Sequence, residues 1–554
     1  MFRENVKRVE RMLQACTGEE DVLLSEGGDH ADLASTVAFK LAKKLKKSPG
    51  QIASELAEKV SAHPDIGDIR VEATGPYVNF HFGETYIREG VREALKPGYG
   101  RLPRRHERVV LEHTSANPNG PLHVGHIRNT VIGDTLARTF RKAGYPLEVQ
   151  YYLNDMGRQI AIVAWGFEHL DVPRQEGEKE DHYVARVYVA ANRAIEADPG
   201  IVAGIDRLMQ QVERGDRETV GKFRSAVSIC IAGIRQTLEE LNATHDRFVW
   251  ESDFVRIGDV DRVIDRIRRL PQCRQNETLW LDLSGSGFEK KYILRRSDGT
   301  SVYSTRDLAY HTWKGRNYDR IIDVLGADHK LIGGQLIATL QLLGEKQPEI
   351  VHFEFVSLPE GAMSTRAGTF VSADELIEEM AAKAMEEVTM RRPDLPLEER
   401  SAIARSVAIA AIRYNIVKVS PEKSTVFDWK EALDFERQSG PYIQYAHART
   451  CGILDRAGAF PEAFEFVSPH EIALAKHIAR FPAVIEQVVR ELRPHLLAAY
   501  ARELADLFNT FYHYEPVLRS EGATRNSRLA LVAAAENTLK ESLETLGIDA
   551  LRSM

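Results

Sequence analysis

The chain has 554 residues, 43% of them apolar and 28% charged, which favours a folded protein of roughly three or four domains. A formal charge of −8 argues against a surface coated with positive charge, so any RNA would have to bind local basic patches. The four cysteines form no CxxC pair, so neither a zinc site nor a disulfide framework is predicted. No apolar run approaches the roughly 20 residues of a membrane helix, and the first residues lack the apolar core of a signal peptide. We therefore expect a cytoplasmic protein.

Residues 1–104 are predicted to form a small α+β domain. A lysine-rich amphipathic helix ends at Ser48-Pro49-Gly50, and a second helix follows with apolar residues four apart. Alternating apolar residues on both sides of Gly75-Pro76 predict two strands joined by a turn. The basic stretch at 98–108 is expected to be a linker.

Residues 105–373 are predicted to form an α/β domain built on a Rossmann-like parallel sheet. A short apolar strand at 109–111 leads through a turn at 117–121 into a helix, and the alternation at 147–153 predicts the next strand. This strand–helix–strand unit binds nucleotides at the carboxyl edge of a parallel sheet.

A mostly helical, polar insertion at about 166–250 separates this unit from a second α/β half. In that half, residues 320–325 and 351–356 are predicted to be buried strands. Residues 374–554 are nearly all helical and are expected to form an all-α bundle.

The sharpest chemical signal is His123-Val124-Gly125-His126 at the predicted start of a helix. Two imidazoles three residues apart lie on nearly the same face, and the amino end of a helix attracts anions. Gly125 leaves room for an adenine or a ribose beside the backbone. The alternative is that both histidines only cap the helix.

These residues resemble a known family. EHTSANPNGPLHVGHIRNTVIGD is similar to the HIGH signature of class I aminoacyl-tRNA synthetases in its arginyl form. YLNDMGRQI, SVYSTRDLAYH, VLGADHK, AMSTRAG, SGPYIQYAHAR and LGIDALRSM resemble later family segments in the same order, and ATGPYVNFHF resembles its N-terminal domain. The resemblance implies ATP-dependent activation of L-arginine, transfer to the 3′ adenosine of tRNA(Arg), and a monomeric enzyme. It also implies that residues 374–554 bind the anticodon and that residues 1–104 can contact the tRNA elbow.

The resemblance places an arginine pocket at the carboxyl edge of the sheet. A guanidinium is permanently charged and presents a planar fork of donors, so its pocket needs carboxylates. Glu112 and Asp307 are expected to bind the guanidinium, and Tyr303 to pack on it. Asn117 and His329 are expected to orient the α-amino end. Each has a plainer alternative: Asp307 fits a helix-capping box, Glu112 could pair with an arginine, Tyr303 could be ordinary strand packing, and His329 could be a core histidine.

The resemblance also assigns the ATP contacts. His123 and His126 are expected to be catalytic, donating hydrogen bonds to the phosphates while the reactants are aligned for in-line attack. The HIGH-like motif comprises Asn117, Pro118, Asn119, Gly120, Pro121, Leu122, His123, Val124, Gly125 and His126, and ATP binding is expected at Pro118, Gly125, Met363 and Ser364.

One departure from the family concerns the cations. The KMSKS loop normally offers lysines to pyrophosphate, but this chain has Ala362-Met363-Ser364-Thr365-Arg366. The lysine that many arginyl enzymes carry just before the HIGH motif is Gly120 here. Arg366 is therefore the expected catalytic cation. Mg²⁺ is expected only as part of the ATP substrate, with no fixed metal or organic cofactor.

For tRNA binding, the bundle offers Tyr442, Tyr445, His447 and Arg449, an aromatic and cationic set suited to stacking on unpaired bases. The alternative is an aromatic bundle core.

Three other functions stay open on the sequence alone. They are a class I synthetase for another amino acid, an HxGH nucleotidylyltransferase without RNA, and a catalytically silent RNA-binding relative. The pair Glu112 and Asp307 argues against the first, and a helical domain of roughly 180 residues beyond the sheet argues against the second. The missing lysines favour the third, but both histidines and both carboxylates are present.

Overall fold

The computed structural model describes residues 2–28, 31–357 and 371–554. The N-terminal domain contains α1 (Phe2–Thr17), β1 (Leu24–Glu26), β2 (Leu33–Ser35), α2 (Val37–Leu45), α3 (Pro49–Ser61), β3 (Arg70–Thr74), β4 (Tyr77–His81) and α4 (Glu84–Ala94). Its strands form an antiparallel sheet in the order β1-β2-β4-β3. The predicted pair of helices is present, and Ser48 begins α3 through a capping box with Gln51. The predicted hairpin is also present, with Gly75 in its turn at φ +58°.

The α/β domain follows a coil at 101–108. Its elements are β5 (Val109–Glu112), α5 (Val124–Lys142), β6 (Leu147–Leu153), α6 (Arg158–His169), α7 (Glu180–Ala197), α8 (Ile201–Glu213), α9 (Arg217–Glu240), β7 (Arg247–Trp250), α10 (Glu251–Arg256), α11 (Asp259–Ile267), β8 (Cys273–Gln275), β9 (Leu279–Leu281), β10 (Tyr292–Arg295), α12 (Tyr303–Asn317), β11 (Arg320–Gly326), α13 (Lys330–Leu342), β12 (Glu349–Phe353) and β13 (Val356–Ser357).

The parallel sheet of this domain has the order β12-β11-β5-β6-β7, as its predicted fold class requires. The chain builds one side of the sheet from β5 through β7 and then returns to build the other side from β11. The strand order therefore reverses between β5 and β11, and a crevice at such a point binds ligands in open α/β sheets. β8, β9 and β10 form a separate antiparallel sheet.

The end of the predicted insertion differs from the sequence expectation. α7, α8 and α9 are helical as predicted, but Arg247–Trp250 is the edge strand β7 of the main sheet. Phe248 stacks on Tyr151 of the neighbouring strand, with ring centroids 5.2 Å apart. A four-residue strand flanked by charged residues gives too little alternation to be recognised from sequence.

The C-terminal region contains α14 (Ala373–Arg391), α15 (Leu397–Val417), β14 (Thr425–Val426), α16 (Trp429–Ala432), α17 (Gly440–Ala457), α18 (Pro469–Glu491), α19 (His495–Tyr514) and α20 (Gly522–Thr545). The apolar spacing around Val488 and around Phe508 predicts one buried face on α18 and one on α19, and both side chains are fully enclosed. α18 also packs on α4 of the N-terminal domain, where Gly90 faces Ala479. Among the described residues, no helix combines the length and apolar character needed to cross a membrane.

Candidate active site

The first turn of α5 brings the two predicted histidines together. His123 is the N-cap residue, and its Nδ1 accepts a hydrogen bond from the backbone N–H of Gly125 at 3.1 Å. The Nδ1 of His126 accepts the backbone N–H of His123 at 3.2 Å. The rings stack with centroids 3.7 Å apart. Both histidines therefore do cap the helix, and capping fixes the orientation of both rings.

The same contacts set the protonation of the rings. Burial lowers the pKa of His123, and burial together with His123 lowers the pKa of His126 to about 3. Both imidazoles are therefore neutral at pH 7. Because each Nδ1 accepts a backbone N–H, the ring proton lies on Nε2, which can donate a hydrogen bond to a phosphate oxygen.

A buried ion cluster joins the end of β5 to the middle of β11. Glu112 and Asp323 are register partners, and the Nζ of Lys314 lies 2.5 Å from Glu112 Oε2 and 2.7 Å from Asp323 Oδ1. His311 Nε2 lies 2.8 Å from Asp323 Oδ2, and His311 Nδ1 lies 2.9 Å from Asp307 Oδ1. The two predicted carboxylates thus belong to one group of five side chains at the crevice, called the ion cluster below.

His311 and Lys314 are the cations of this cluster. Burial opposes the charge on His311, but Asp307 and Asp323 raise its pKa to about 10. Burial also opposes the charge on Asp323, but Lys314 and His311 hold the pKa of Asp323 below its usual range. With its three carboxylates ionised, the cluster has one more negative than positive charge. The Asp307 side chain is 29% exposed whereas that of Lys314 is fully buried, so Asp307 is the accessible end of the cluster.

Asp307 does not cap its helix. Val302 is the N-cap residue of α12 and no side chain caps that end, while the Ser304 hydroxyl donates to the carbonyl of Ile293 at 2.8 Å. The capping-box alternative is therefore wrong, because the helix begins too early for Ser304 to be its cap.

The other predicted pocket residues also lie at the carboxyl edge. Tyr303 is 54% exposed and borders a cavity of about 370 Å³ together with Asn154. Asn154 Nδ2 donates to Asn117 Oδ1 at 3.3 Å, which places Asn117 beside that cavity. His329 is exposed after β11, and its Nδ1 is 3.1 Å from Asp328 Oδ1. Tyr303 begins α12 and is exposed, so it is not a packed strand residue, and the exposure of His329 contradicts a core histidine.

The predicted ATP and pyrophosphate contacts Met363, Ser364 and Arg366 lie outside the described residues. Both flanks of segment 358–370 contact α5 or the turn before it. On the preceding side, the Nη1 of Arg128 donates to the carbonyl of Phe355 at 3.2 Å. On the following side, the backbone N–H of Ala373 donates to the carbonyl of Leu122 at 2.7 Å.

The insertion covers the motif turn at Gly120. A Cβ at Gly120 would lie 3.2 Å from the Cβ of Ala185 on α7, so a lysine there would require that helix to shift. On α9, the thiol of Cys230 donates to the carbonyl of Gly120 at 3.6 Å. The Nζ of Lys179, at the start of α7, lies 2.6 Å from Asp374 Oδ2 on α14. The insertion is thereby tied to both the motif turn and the helix after segment 358–370.

Three of the four predicted tRNA-binding residues lie together between α17 and α19. The hydroxyl of Tyr442 donates to Asp506 Oδ1 at 2.7 Å, and Arg449 donates to Asn509 at 2.8 Å. The Arg449 guanidinium lies over the ring of Tyr445, 4.9 Å from its centroid. All three residues are partly buried at the edge of the bundle, not enclosed in its core.

His447 differs from this prediction. Its side chain is 2% exposed, and its Nδ1 lies 2.9 Å from the carbonyl oxygen of Leu551. It is therefore on the inward face of α17, where no nucleotide base could stack on it.

Sequence analysis did not find Lys314, His311 or Asp323. The first two lie one turn apart on α12, and Asp323 is inside a strand that reads as buried. The only indication in the sequence is the general rule that a charged residue in a buried segment is usually paired with another charged residue. Which of them pair depends on the register between β5 and β11, which the sequence does not encode locally.

Family models match three stretches of the chain. The arginyl tRNA synthetase N terminal domain matches residues 5–82, the catalytic domain of class I tRNA synthetases (R) matches 94–429, and the DALR anticodon binding domain matches 443–554.

Curated relatives and solved structures match over the whole chain. The arginine–tRNA ligases of Methanosphaerula palustris and Methanoregula boonei are 66% and 64% identical, each alignment covering 100% of both chains. The structure of the Thermus thermophilus arginyl-tRNA synthetase matches with a TM-score of 0.87 at 30% identity, covering 100% of both chains. That of the Plasmodium falciparum arginyl-tRNA synthetase has a TM-score of 0.83 at 17% identity, covering 100% of this chain and 99% of that one, which is a likeness of fold alone.

Proposed function

The chain belongs to the arginyl-tRNA synthetase family of class I and activates L-arginine with ATP before transferring it to tRNA(Arg), and from this premise we propose how its own residues select and align the substrates. The three other functions left open by the sequence are set aside by the family. The role of each side chain in binding and catalysis remains to be assigned.

The charge of the ion cluster is the observation that carries the proposed arginine pocket. Lys314 and His311 supply two positive charges against the three carboxylates Glu112, Asp323 and Asp307. A guanidinium bound at the accessible Asp307 would balance the remaining negative charge. The planar fork of N–H donors on a guanidinium matches the two oxygens of a carboxylate, whereas an ammonium group is only a point charge.

The assignment of Glu112 changes in this proposal. Its Oε2 is already 2.5 Å from Lys314 Nζ, and its Oε1 accepts a hydrogen bond from the Ser115 hydroxyl at 2.9 Å. We therefore assign direct guanidinium binding to Asp307 and give Glu112 mainly the role of fixing Lys314. Tyr303 would pack against the side chain of the substrate, while Asn117 and His329 would orient its α-amino group.

The two histidines would act on the phosphates. The arginine carboxylate attacks the α-phosphorus of ATP and pyrophosphate leaves. His123 and His126, neutral and each with its proton on Nε2, donate hydrogen bonds to phosphate oxygens without acting as acids or bases. ATP would arrive with Mg²⁺, and Pro118, Gly125, Met363 and Ser364 would contact the nucleotide. Arg366 would supply the cation for pyrophosphate.

For tRNA, the edge formed by Tyr442, Tyr445 and Arg449 is the proposed contact with unpaired anticodon bases. Stacking on an aromatic ring or a guanidinium plane suits such bases. We further propose three regions, at 1–104, 105–373 and 374–554, with the first contacting the tRNA elbow. The family resemblance supports a monomer in the cytoplasm.

The experiment is ATP–pyrophosphate exchange in the presence of tRNA(Arg), with arginine and ATP varied separately. Asp307→Asn is expected to raise the KM for arginine about tenfold to a hundredfold and to change the KM for ATP less than about threefold, because only the guanidinium loses its partner. The control is Asp265→Asn, an exposed carboxylate on α11 whose loss should change neither value. Equal increases in both KM values for Asp307→Asn would contradict the pocket assignment.

The uncharged urea analogue of arginine provides a second test. It has nearly the same shape but leaves the cluster's negative charge unbalanced, so it should support no exchange. Exchange with this analogue at rates near those with arginine would show that charge is not what the pocket recognises.

A further inference from the structure

A single carboxylate, that of Asp374, joins the start of α14 to two helices of the insertion. Its Oδ2 accepts hydrogen bonds from Lys179 Nζ at 2.6 Å and from His182 Nε2 at 2.7 Å. Its Oδ1 accepts a hydrogen bond from the hydroxyl of Thr237 at 2.8 Å. Lys179 and His182 lie at the start of α7, and Thr237 lies on α9. Three helices therefore meet at one side chain.

This contact is balanced in charge. Burial opposes the charge on Asp374, but hydrogen bonds from His182 and Lys179 lower its pKa to about 2, so it is ionised at neutral pH. The fully buried Asp181 lies 3.2 Å from Lys179 Nζ, and the hydrogen bond to Asp374 raises the pKa of His182. Two cations then face two carboxylates. The helix dipole alone would favour an acidic residue in the first turn of α14, but it would not bring three donors from other helices.

The start of α14 also contacts the start of α5. Ser372 forms a bridge with His123, and the backbone N–H of Ala373 donates to the carbonyl of Leu122 at 2.7 Å. Ser372 in addition caps α14 through a capping box, which fixes the backbone at this point. Asp374 follows these two residues directly. The groups that fix Asp374 therefore also fix the backbone that lies against His123.

The insertion contacts the motif turn from another direction. On α9 the thiol of Cys230 donates to the carbonyl of Gly120, and on α7 Ala185 lies against the same glycine. These two helices are themselves closely packed, because a Cβ at Gly233 on α9 would collide with the Asp181 carboxylate on α7. Residues 120–123 thus lie between the insertion and the start of α14, and Asp374 joins the two structures that surround them.

We propose that Asp374 is a positioning residue for the attack on ATP: it holds the insertion against the start of α14 and so fixes the motif turn from which His123 and His126 donate to the phosphates. The inference rests on the proposed function of these two histidines. Asp374 acts through the backbone of residues 120–123, without contacting a substrate. Displacing aligned reactants by about 1 Å can cost about a hundredfold in rate. The guanidinium partner Asp307 lies on α12, so arginine binding should change little.

The experiment measures ATP–pyrophosphate exchange by the full chain with tRNA(Arg), well below the thermal midpoint of each variant. Asp374→Asn keeps the size of the side chain but loses its charge. It should lower kcat about tenfold to a hundredfold and change the KM for arginine less than about threefold, the reverse of the pattern expected for Asp307→Asn. The matched control is Asp394→Asn, an exposed carboxylate that pairs with Arg392 just after α14 and whose loss should change neither value. A lower thermal midpoint with an unchanged kcat in Asp374→Asn would overturn the proposal.

A double-mutant cycle tests the contact itself. If Asp374 acts through Lys179, the double variant Lys179→Met/Asp374→Asn should have about the kcat of the slower single variant. Effects on kcat that multiply would contradict the proposal. His182→Leu covers the case in which Asp374→Asn fails to fold, because the His182 side chain is 37% exposed and only one of three donors is lost. Its kcat should also fall, and an unchanged value would again overturn the proposal.

His126→Asn in the same assay separates this inference from the proposed function. If His126→Asn keeps the kcat of the unmodified chain, the role proposed for the histidines fails, and the positioning role fails with it. If His126→Asn loses exchange while Asp374→Asn retains it, only the positioning role is wrong.

Discussion

Lys314 occupies an unusual position for a lysine, since its side chain has no exposed surface. Its ammonium contacts Glu112 and Asp323 and lies 4.0 Å from the centroid of the Tyr310 ring. Removing one charge from a buried ion pair usually costs about 3–5 kcal/mol because the remaining charges stay enclosed. The ion cluster therefore couples the stability of the sheet to the geometry of the proposed arginine pocket.

Lys314→Met tests this coupling. The variant leaves two carboxylates side by side, which raises the pKa of at least one in the folded state. A group with a raised folded pKa contributes stability below its unfolded pKa and loses it as pH rises through the folded value. The deficit in unfolding free energy relative to the unmodified chain should therefore be larger at pH 8 than at pH 5.5. Urea denaturation at both values measures this, and a deficit independent of pH would contradict it.

Buried neutral histidines predict how the unmodified chain responds to acid. Burial lowers the pKa of His245 and of His477 to about 4. A histidine with a lowered folded pKa leaves stability intact above its unfolded pKa of about 6.5 and reduces it as pH falls towards the folded value. Each should remove about 3 kcal/mol of unfolding free energy between pH 6.5 and pH 4.

The measurement is urea denaturation across that range. His245→Gln should make the decline shallower, whereas His106→Gln, at an exposed position, should not change it. An identical decline in His245→Gln would assign the acid sensitivity to other groups.

At this scale the residues predicted from motifs lie together in the structure, whereas the residues that the sequence missed are defined only by their contacts. His123, His126 and Asp307 follow from local patterns, because a helix start or a motif fixes their neighbours. His447 has the same local pattern as Tyr442 and Tyr445, but the rotation of α17 turns its ring towards Leu551. Burial of one helix face depends on distant chain segments and is not visible in the helix itself.

Among the elements, α5 connects the proposed active site to the helical bundle. It begins at the two histidines, and two turns later Asp134 pairs with Arg413 of α15 at 2.5 Å, both side chains fully buried. Arg413 also donates to the carbonyl of Leu546 at 2.8 Å. One buried contact thus joins the catalytic sheet, α15 and the end of α20.

Asp134→Asn should destabilise the chain by about 3–5 kcal/mol, since the Arg413 guanidinium would remain buried without its charged partner. Because α5 also begins the active site, kcat for aminoacylation should fall together with the thermal midpoint. The double variant Asp134→Asn/Arg413→Met removes both charges and should recover part of the lost stability. A double variant less stable than Asp134→Asn would show that the guanidinium's carbonyl contacts matter more than the charge pair.

Elements were predicted well where their periodicity was long and poorly where they were short. α5, α18 and α19 have several turns of apolar spacing, which tertiary packing reinforces. The turn at Asp298-Gly299 predicts a strand on each side, but the structure has only a single bridge between Arg295 and Ser301 after the turn. The predicted insertion includes the residues that form β7. Strands this short form because a neighbouring strand pairs with them, and their own sequence gives little indication of it.

At the scale of the whole molecule, the N-terminal domain and the helical bundle pack against each other. Tyr99 donates to the carbonyl of Ile478 on α18 at 2.9 Å, and Lys476 pairs with Asp32 at 2.6 Å. Gly90 of α4 lies so close to Ala479 that an added Cβ would be 2.5 Å from the alanine Cβ. The two helices can approach this closely because Gly90 has no side chain.

Gly90→Val should therefore separate α4 from α18 and lower the unfolding free energy by about 1–3 kcal/mol. Differential scanning calorimetry would show a lower midpoint, and limited proteolysis would show earlier cleavage between the N-terminal domain and the remainder. Gly221→Ala is the control, because that helical position has open space around it and alanine favours helix by about 0.5–1 kcal/mol. A midpoint unchanged by Gly90→Val would mean that the two domains hardly support each other.

Arg128, two residues after His126, has a side chain enclosed among carbonyl oxygens, including those of Phe355 and Lys423. Dissolved counterions cannot approach a guanidinium in that position, whereas they surround cations on the outer face of a protein. The contact between Arg128 and the carbonyls of Phe355 and Lys423 should therefore persist at ionic strengths that weaken ion pairs between exposed side chains. Urea denaturation of Arg128→Met and of the unmodified chain, each at low and at high potassium chloride, would show a loss of unfolding free energy that does not depend on salt.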